Sequence, residues 1–303
     1  MMEPVIRVDG TGANALHGRA VLDWPKLLWN FGHITTALIL APMLFSWAAL
    51  LLFLFLTYGS LLIGHSVGMH RMMIHRSFTT PRWLEYTLVY IGVLVGVAGP
   101  FGILRVHDLR DWAQRQPAAH DYFTHRRWLL VDLLWQLAYR FEYENPPRFV
   151  IEASKADDGF YRFLEATWRL HQIPLAVLLY YIGGWPFVVW GICLRVSVSV
   201  IGHWTITYYC HSPSTGHGPG RWHVDGAGVQ ASNLPGLGYL TYGECWHNNH
   251  HAFPESARIG LEEGEADPAW WMISLMQRAG LAYLVKMPRS QDARGDITDR
   301  LIL

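Results

Sequence analysis

A chain of 303 residues that is 51% hydrophobic, 14% aromatic and only 16% charged is too apolar for an ordinary soluble domain, and disorder and a coiled coil are excluded with it. The 24 Lys and Arg cancel the 24 Asp and Glu, so no basic field exists to attract nucleic acid. Three cysteines without a C-x-x-C spacing support neither a disulfide framework nor a thiolate zinc site, whereas sixteen histidines are an excess of the commonest metal-ligating side chain.

Residues 1–26 carry Glu3, Arg7, Asp9, Arg19, Asp23 and Lys26 and show no secretory signal; they are expected to form a polar N-terminal segment in the cytoplasm. From Leu27 to His70 no Asp, Glu, Lys or Arg occurs, and these 44 residues, broken around Pro42 to Trp47, predict membrane helices near 27–42 and 46–68. A second uncharged stretch, Leu170 to Leu194, is interrupted by Arg195 alone and resumes to Gly220. Its Gly183-Gly184-Trp185-Pro186 turn predicts helices near 168–182 and 186–209. Both hairpin turns lack Lys and Arg, while 71–169 and the region after Arg221 are rich in them, so the positive-inside rule places the long segments and both termini in the cytoplasm.

Tyr86 to Leu104 is a further uncharged stretch, but Gly92, Gly96, Gly99, Pro100 and Gly102 make its second half a poor helix. It predicts an interfacial or re-entrant segment, which keeps the histidines before and after it on one side of the membrane. Leu129 to Phe141 predicts another interfacial helix. The expected fold is an all-α integral membrane protein whose four transmembrane helices form two hairpins beneath a cytoplasmic histidine-rich cap. The membrane domain spans 27–288, followed by a C-terminal tail, 289–303.

The histidines fall into clusters. His70 and His75 follow the second span; five residues apart, they stand about 140° from each other on an α-helix and would flank a site rather than share one side of it. His65 lies just before them. His247, His250 and His251 have i, i+3, i+4 spacing, so one helical face presents three imidazoles, which gain no more packing than leucine and cost desolvation. In the fourth span Arg195, Ser199, His203, Thr207 and His211 recur every fourth residue and must face the bundle interior. His211 is read as a ligand and His203 as a ligand or a hydrogen-bonded neighbour. His107 and Asp111, at i, i+4, make an acceptable mixed pair for iron, with an Asp108, Arg110 and Asp111 surface network as the plainer reading. His120 and His125 repeat the five-residue spacing and suit a substrate headgroup or interface. His17, His33, His171, His217 and His223 read as ordinary histidines.

Many neutral imidazoles with few thiolates suit zinc, copper or iron, and seven or more candidates at one membrane face argue for two metals. At this point the residues resemble the membrane-bound fatty acid desaturases of the acyl-CoA desaturase type, with three histidine boxes. The first box matches His70 to His75 with Arg76-Ser77-Phe78. The third, by far the most specific, matches Gly243-Glu244-Cys245-Trp246-His247-Asn248-Asn249-His250-His251, with Phe253-Pro254 and Ser256-Ala257-Arg258 trailing it. The second departs: where the family has HRxHH this chain has His107-Asp108-Leu109-Arg110-Asp111, and Thr207 with His211 stands for the family's Asn-x-x-x-His.

The resemblance implies two non-haem irons held by His70, His75, His107, His211, His247, His250 and His251, with His65, Asp111, His120, His125, His203 or Thr207 as substitute or supporting groups. It implies a dioxygen-dependent oxidoreductase that introduces a double bond into a fatty acyl chain carried as a CoA thioester or lipid. Electrons would come from a separate protein such as a ferredoxin or a cytochrome, because no haem-attachment motif or dinucleotide fingerprint is present. Arg195 and Trp204 are expected to meet the substrate. The rival readings are a di-iron hydroxylase or ketolase on the same scaffold and a non-catalytic membrane metal-binding protein.

Overall fold

The computed structural model describes residues 6–212, 220–288 and 296–300, so that His217 lies outside the described residues. The first long helix, Trp24–Met43, starts where Asp23 accepts a hydrogen bond from the Lys26 amide and Pro25 presets the first turn; it ends one residue after Pro42. Ser46 caps the next helix by accepting from the Ala49 amide. That helix, Trp47–Gly59, continues without a break as a π-helix, Ser60–Ile74, with i→i+5 bonding.

Two stretches, Trp47–Ile74 and Gln172–His211, are long and apolar enough to cross a membrane. The second is bent at Gly183 and Gly184, the latter at φ +65°, where the sequence predicts the hairpin turn. Leu51, Phe55, Tyr181 and Trp185 stand exposed on these stretches, in keeping with lipid-facing surfaces.

The uncharged segment from Tyr86 to Leu104 is not one helix. Arg82–Leu94 stops ahead of Gly96, whose φ of +82° turns the chain, and a new helix, Pro100–Arg115, begins. Its first amides, Phe101 and Gly102, donate to the Glu165 carboxylate at 2.8 and 3.1 Å. Arg82–Leu94 crosses the π-helix at backbone contact: a Cβ on Gly64 would stand 2.3 Å from the Gly92 nitrogen. Around this crossing lies the main core, with Val67, Met73, Phe78, Leu88, Leu104, Tyr161 and Ile273.

The all-α expectation is corrected to a mostly helical fold, because the described residues include three short antiparallel ribbons. Gly18–Leu22 pairs with Tyr139–Tyr143, which ends the predicted 129–141 helix at Ala138. Val8–Asp9 pairs with Arg148–Phe149, and Trp222–Val224 with Ile297–Asp299 near the C-terminus. The N-terminal segment is thereby built into the fold.

Arg195, expected to meet the substrate, does not line the large cavity of the protein. Fully buried, it donates to the carbonyls of Gly191 and Leu94 and to Gln172 Oε1, and so ties the end of Arg82–Leu94 to the long helix. A guanidinium with its donors satisfied by oxygens at hand is a strut between elements.

Candidate metal centre

Two groups of imidazoles converge. His70, His75, His107 and His250 form one, and His211, His247 and His251 the other; in each, one nitrogen per residue lies within 4.8 Å of all the rest. His75 Nε2 is 3.2 Å from both His70 Nε2 and His107 Nε2. His251 Nε2 is likewise 3.2 Å from both His211 Nε2 and His247 Nε2. Nitrogens that each stand about 2.0–2.1 Å from a shared ion lie about 3.0–3.4 Å apart. One ring nitrogen cannot make two good hydrogen bonds to its neighbours, so the donor set and its spacing fit a metal ion in either group.

Several rings are held from behind. His211 Nδ1 donates to the Thr207 carbonyl at 2.9 Å, which leaves Nε2 bare on a neutral ring. His107 Nδ1 lies 3.1 Å from Asp108 Oδ1, and His70 Nδ1 lies 2.8 Å from Glu244 Oε2. The Nδ1 atoms of His247 and His250 have no hydrogen-bond partner among the described residues. Burial would raise the Glu244 carboxyl, but His70, Arg71 and Ser66 outweigh it and hold Glu244 well below the usual carboxylate range. Burial, joined by neighbouring imidazoles, pushes His250 and His251 well below the usual histidine range and His247 down to about 4, so these rings are neutral donors at physiological pH.

One geometric expectation is corrected. His70 and His75 do not flank a site from opposite sides. The wider π winding, in which the His75 amide donates to the His70 carbonyl, returns residue i+5 to the side of residue i. The helix His247–Ala252 divides its three histidines between the groups: His250 joins the first, and His247 and His251 the second.

The other candidates stand apart from both groups. His203 Nδ1 donates to the Ser199 carbonyl at 2.7 Å, so its Nε2 accepts from His65 Nε2 at 2.8 Å; each occupies the other. Asp111 pairs with Arg115 at 3.0 Å. Thr207 donates to the His203 carbonyl. His120 caps the Tyr122 amide and packs on Phe141. His125 is fully buried against Asp132. Trp204 lines the cavity and donates to Asp132 at 2.8 Å.

Three groups escaped the sequence reading. Asp108 is no surface residue: its carboxylate bridges His107 and Arg7. Arg7 is buried and also holds Glu152 and the carbonyls of Met73 and Ile74. Glu244, quoted only as part of a motif, is the carboxylate behind His70. The adjacency of His107 and Asp108 was the one local signal.

Both groups open on a cavity of about 1840 Å³. Its apolar walls include Phe53, Leu62, Ile63 and Val198, and its polar rim includes Asp23, Lys26, Arg140 and Glu142.

Residues 45–283 match the fatty acid desaturase family profile. The chain is 36% identical over 273 residues to the sn-1 stearoyl-lipid 9-desaturase of Anabaena variabilis, covering 88% of this chain and 94% of the relative. It is 35% identical to the sn-2 palmitoyl-lipid 9-desaturase of Nostoc sp., covering 89% and 94%. It is 33% identical to the icosanoyl-CoA 5-desaturase of Limnanthes douglasii, covering 82% and 68%. These names do not favour the hydroxylase, ketolase or non-catalytic readings. The chain belongs to the fatty acid desaturase family and is a fatty acyl desaturase, an oxidoreductase of lipid metabolism.

Proposed function

We propose that the chain is a di-iron desaturase that uses dioxygen, and electrons from a separate protein such as a ferredoxin or a cytochrome, to remove two hydrogens from adjacent methylenes of a long acyl chain. The observation that carries this reading is the pair of imidazole groups facing one cavity of about 1840 Å³. His70, His75, His107 and His250 would hold one iron, and His211, His247 and His251 the other. Iron bound there supplies an oxidant strong enough for an unactivated C–H bond.

The chain's own residues position the substrate and hold the ligands. Phe53, Leu62, Ile63 and Val198 offer an apolar bed that fixes which methylenes stand beside the histidines, so position in the cavity sets the site of the double bond. The mixed rim of Asp23, Lys26, Arg140 and Glu142 suits a headgroup of little net charge, and the two cyanobacterial relatives are named for lipid-borne chains, so an acyl lipid is the favoured substrate over a CoA thioester. Trp24–Met43 and the two limbs of Gln172–His211 on either side of Gly183-Gly184 supply, with Trp47–Ile74, four spans in two hairpins. The Lys and Arg distribution supports a histidine cap on the cytoplasmic face. The desaturase domain is taken as 27–288, between the 1–26 segment and the 289–303 tail.

Mass analysis of acyl chains from expressing cells tests the reaction: loss of two hydrogens is expected, and gain of one oxygen overturns it. Metal analysis of the purified protein should find two irons per chain. His250→Ala should abolish product while the protein stays in the membrane; persistent product would sink the iron assignment.

A further inference from the structure

The His211, His247 and His251 group offers three nitrogens where the other offers four. Beside it stands an imidazole that neither group includes. The His125 ring centroid lies 5.9 Å from that of His211, with 25° between the planes. His125 has no exposed surface, and its Nδ1 is 3.0 and 3.1 Å from the two oxygens of Asp132, which is also fully buried. Trp204 Nε1 anchors that carboxylate at 2.8 Å. The other ring nitrogen, His125 Nε2, is buried and has no hydrogen-bond partner among the described residues.

Two further features set this residue apart. Its backbone is left-handed, at φ 51°, a state that a residue with a side chain adopts at a cost and that clusters at functional sites. A neutral imidazole that gives its Nδ1 proton to a carboxylate presents a bare lone pair at Nε2, the arrangement found behind metal-ligating histidines. Buried without a task, that lone pair would only cost desolvation.

We propose that His125 is the fourth protein ligand of the ion site built on His211, His247 and His251, with Asp132 and Trp204 as the residues that orient it. It replaces one of the two second-box histidines whose places are taken by Arg110 and Asp111. His125 stands outside the 4.8 Å group, so reaching the shared ion takes an inward shift of the turn that carries it. This inference rests on the two-iron reading above.

The test is ferrous iron binding to the purified full-length chain under anaerobic conditions, read as ions per chain and affinity at each site. The unmodified chain should bind two ions. His125→Ala should keep one at unchanged affinity and bind the other about 10–100-fold more weakly, and added imidazole should restore the second ion. Asp132→Asn, nearly isosteric and suited to the case in which the alanine variant does not fold, should weaken the same site alone. Two ions at unchanged affinity in His125→Ala overturn the assignment, as does an equal loss at both sites in Asp132→Asn. An unmodified chain that binds a single ion overturns the two-iron reading itself, and with it the site that His125 would complete.

Discussion

Arg7 is the residue whose role is least expected from its position. It lies in the N-terminal segment, outside the matched 45–283 region, yet its guanidinium grips Asp108, whose other oxygen faces His107 Nδ1. The family pattern has an arginine where this chain has Asp108, so the charge at that position is reversed and the cation comes from Arg7. Arg7→Ala should therefore lower metal affinity at the four-histidine group about 10–100-fold, and Arg7→Lys, which keeps the charge but not the fork, should recover part of it; iron titration measures both. Glu152, the second acid on Arg7, gives a pH signature. Burial raises its carboxyl, but the hydrogen bond and charge of Arg7 outweigh that and hold it below the usual range. A depressed carboxylate contributes stability that is complete above the unfolded pKa, about 4.3, and is lost as pH falls through the lower folded value. Thermal melts should show Glu152→Gln about 1–2 kcal/mol less stable at pH 7, with the gap closing on acidification; a gap independent of pH refutes this. Histidine spacing made the two imidazole groups legible because such clusters draw on short local motifs. Arg7, by contrast, reaches Asp108 and Glu152 from 101 and 145 residues away along the chain, a distance no local pattern spans.

At the scale of elements, the π-helix Ser60–Ile74 decides how the first box works. Hydrophobic content marks this stretch as helical but says nothing of whether the bonding is i→i+4 or i→i+5, so an angle computed from 3.6 residues per turn put His70 and His75 on different sides. The winding is accompanied by an unusually close crossing. A methyl on Gly64 would meet the backbone of Ile91 and Gly92 at 2.3–2.4 Å, and backbone cannot swing aside as a side chain can. Gly64→Ala should cost about 1–3 kcal/mol and lower the melting temperature in detergent. Gly59→Ala, one turn earlier with nothing within 4 Å of its Cβ position, should leave stability unchanged or raise it by up to about 1 kcal/mol. Equal effects at the two glycines would refute the role given to the crossing. The bend at Gly183-Gly184 was legible because glycine pairs punctuate a helix whatever surrounds them. The ribbons were not, since Gly18–Leu22 and Tyr139–Tyr143 are distant in sequence and their pairing replaces a helical turn that periodicity alone would extend.

For the whole molecule, charge segregation along the chain made the two long apolar stretches, Trp47–Ile74 and Gln172–His211, readable before any coordinates, because transfer into lipid tolerates few charged groups. The cavity has no local signal in the sequence, because its walls are assembled from segments between residues 23 and 251. Gly202 lines it, and a Cβ there would meet nothing within 4 Å. Gly202→Leu should fit the protein without loss of stability while shortening the space for the acyl chain. Product analysis on mixed substrates should then show a several-fold shift toward shorter chains; an unchanged chain-length profile would place the acyl path elsewhere.

The four-residue stripe on the last long helix carries a consequence for solvent. Ser199, His203, Thr207 and His211 each donate to the carbonyl one turn back, at Arg195, Ser199, His203 and Thr207. A polar face that spends its donors on its own backbone has little left with which to anchor water. On the two-iron proposal, an acyl chain entering along this wall would displace few tightly held water molecules, and the helix that would deliver one ligand would also help to keep that end of the cavity dry.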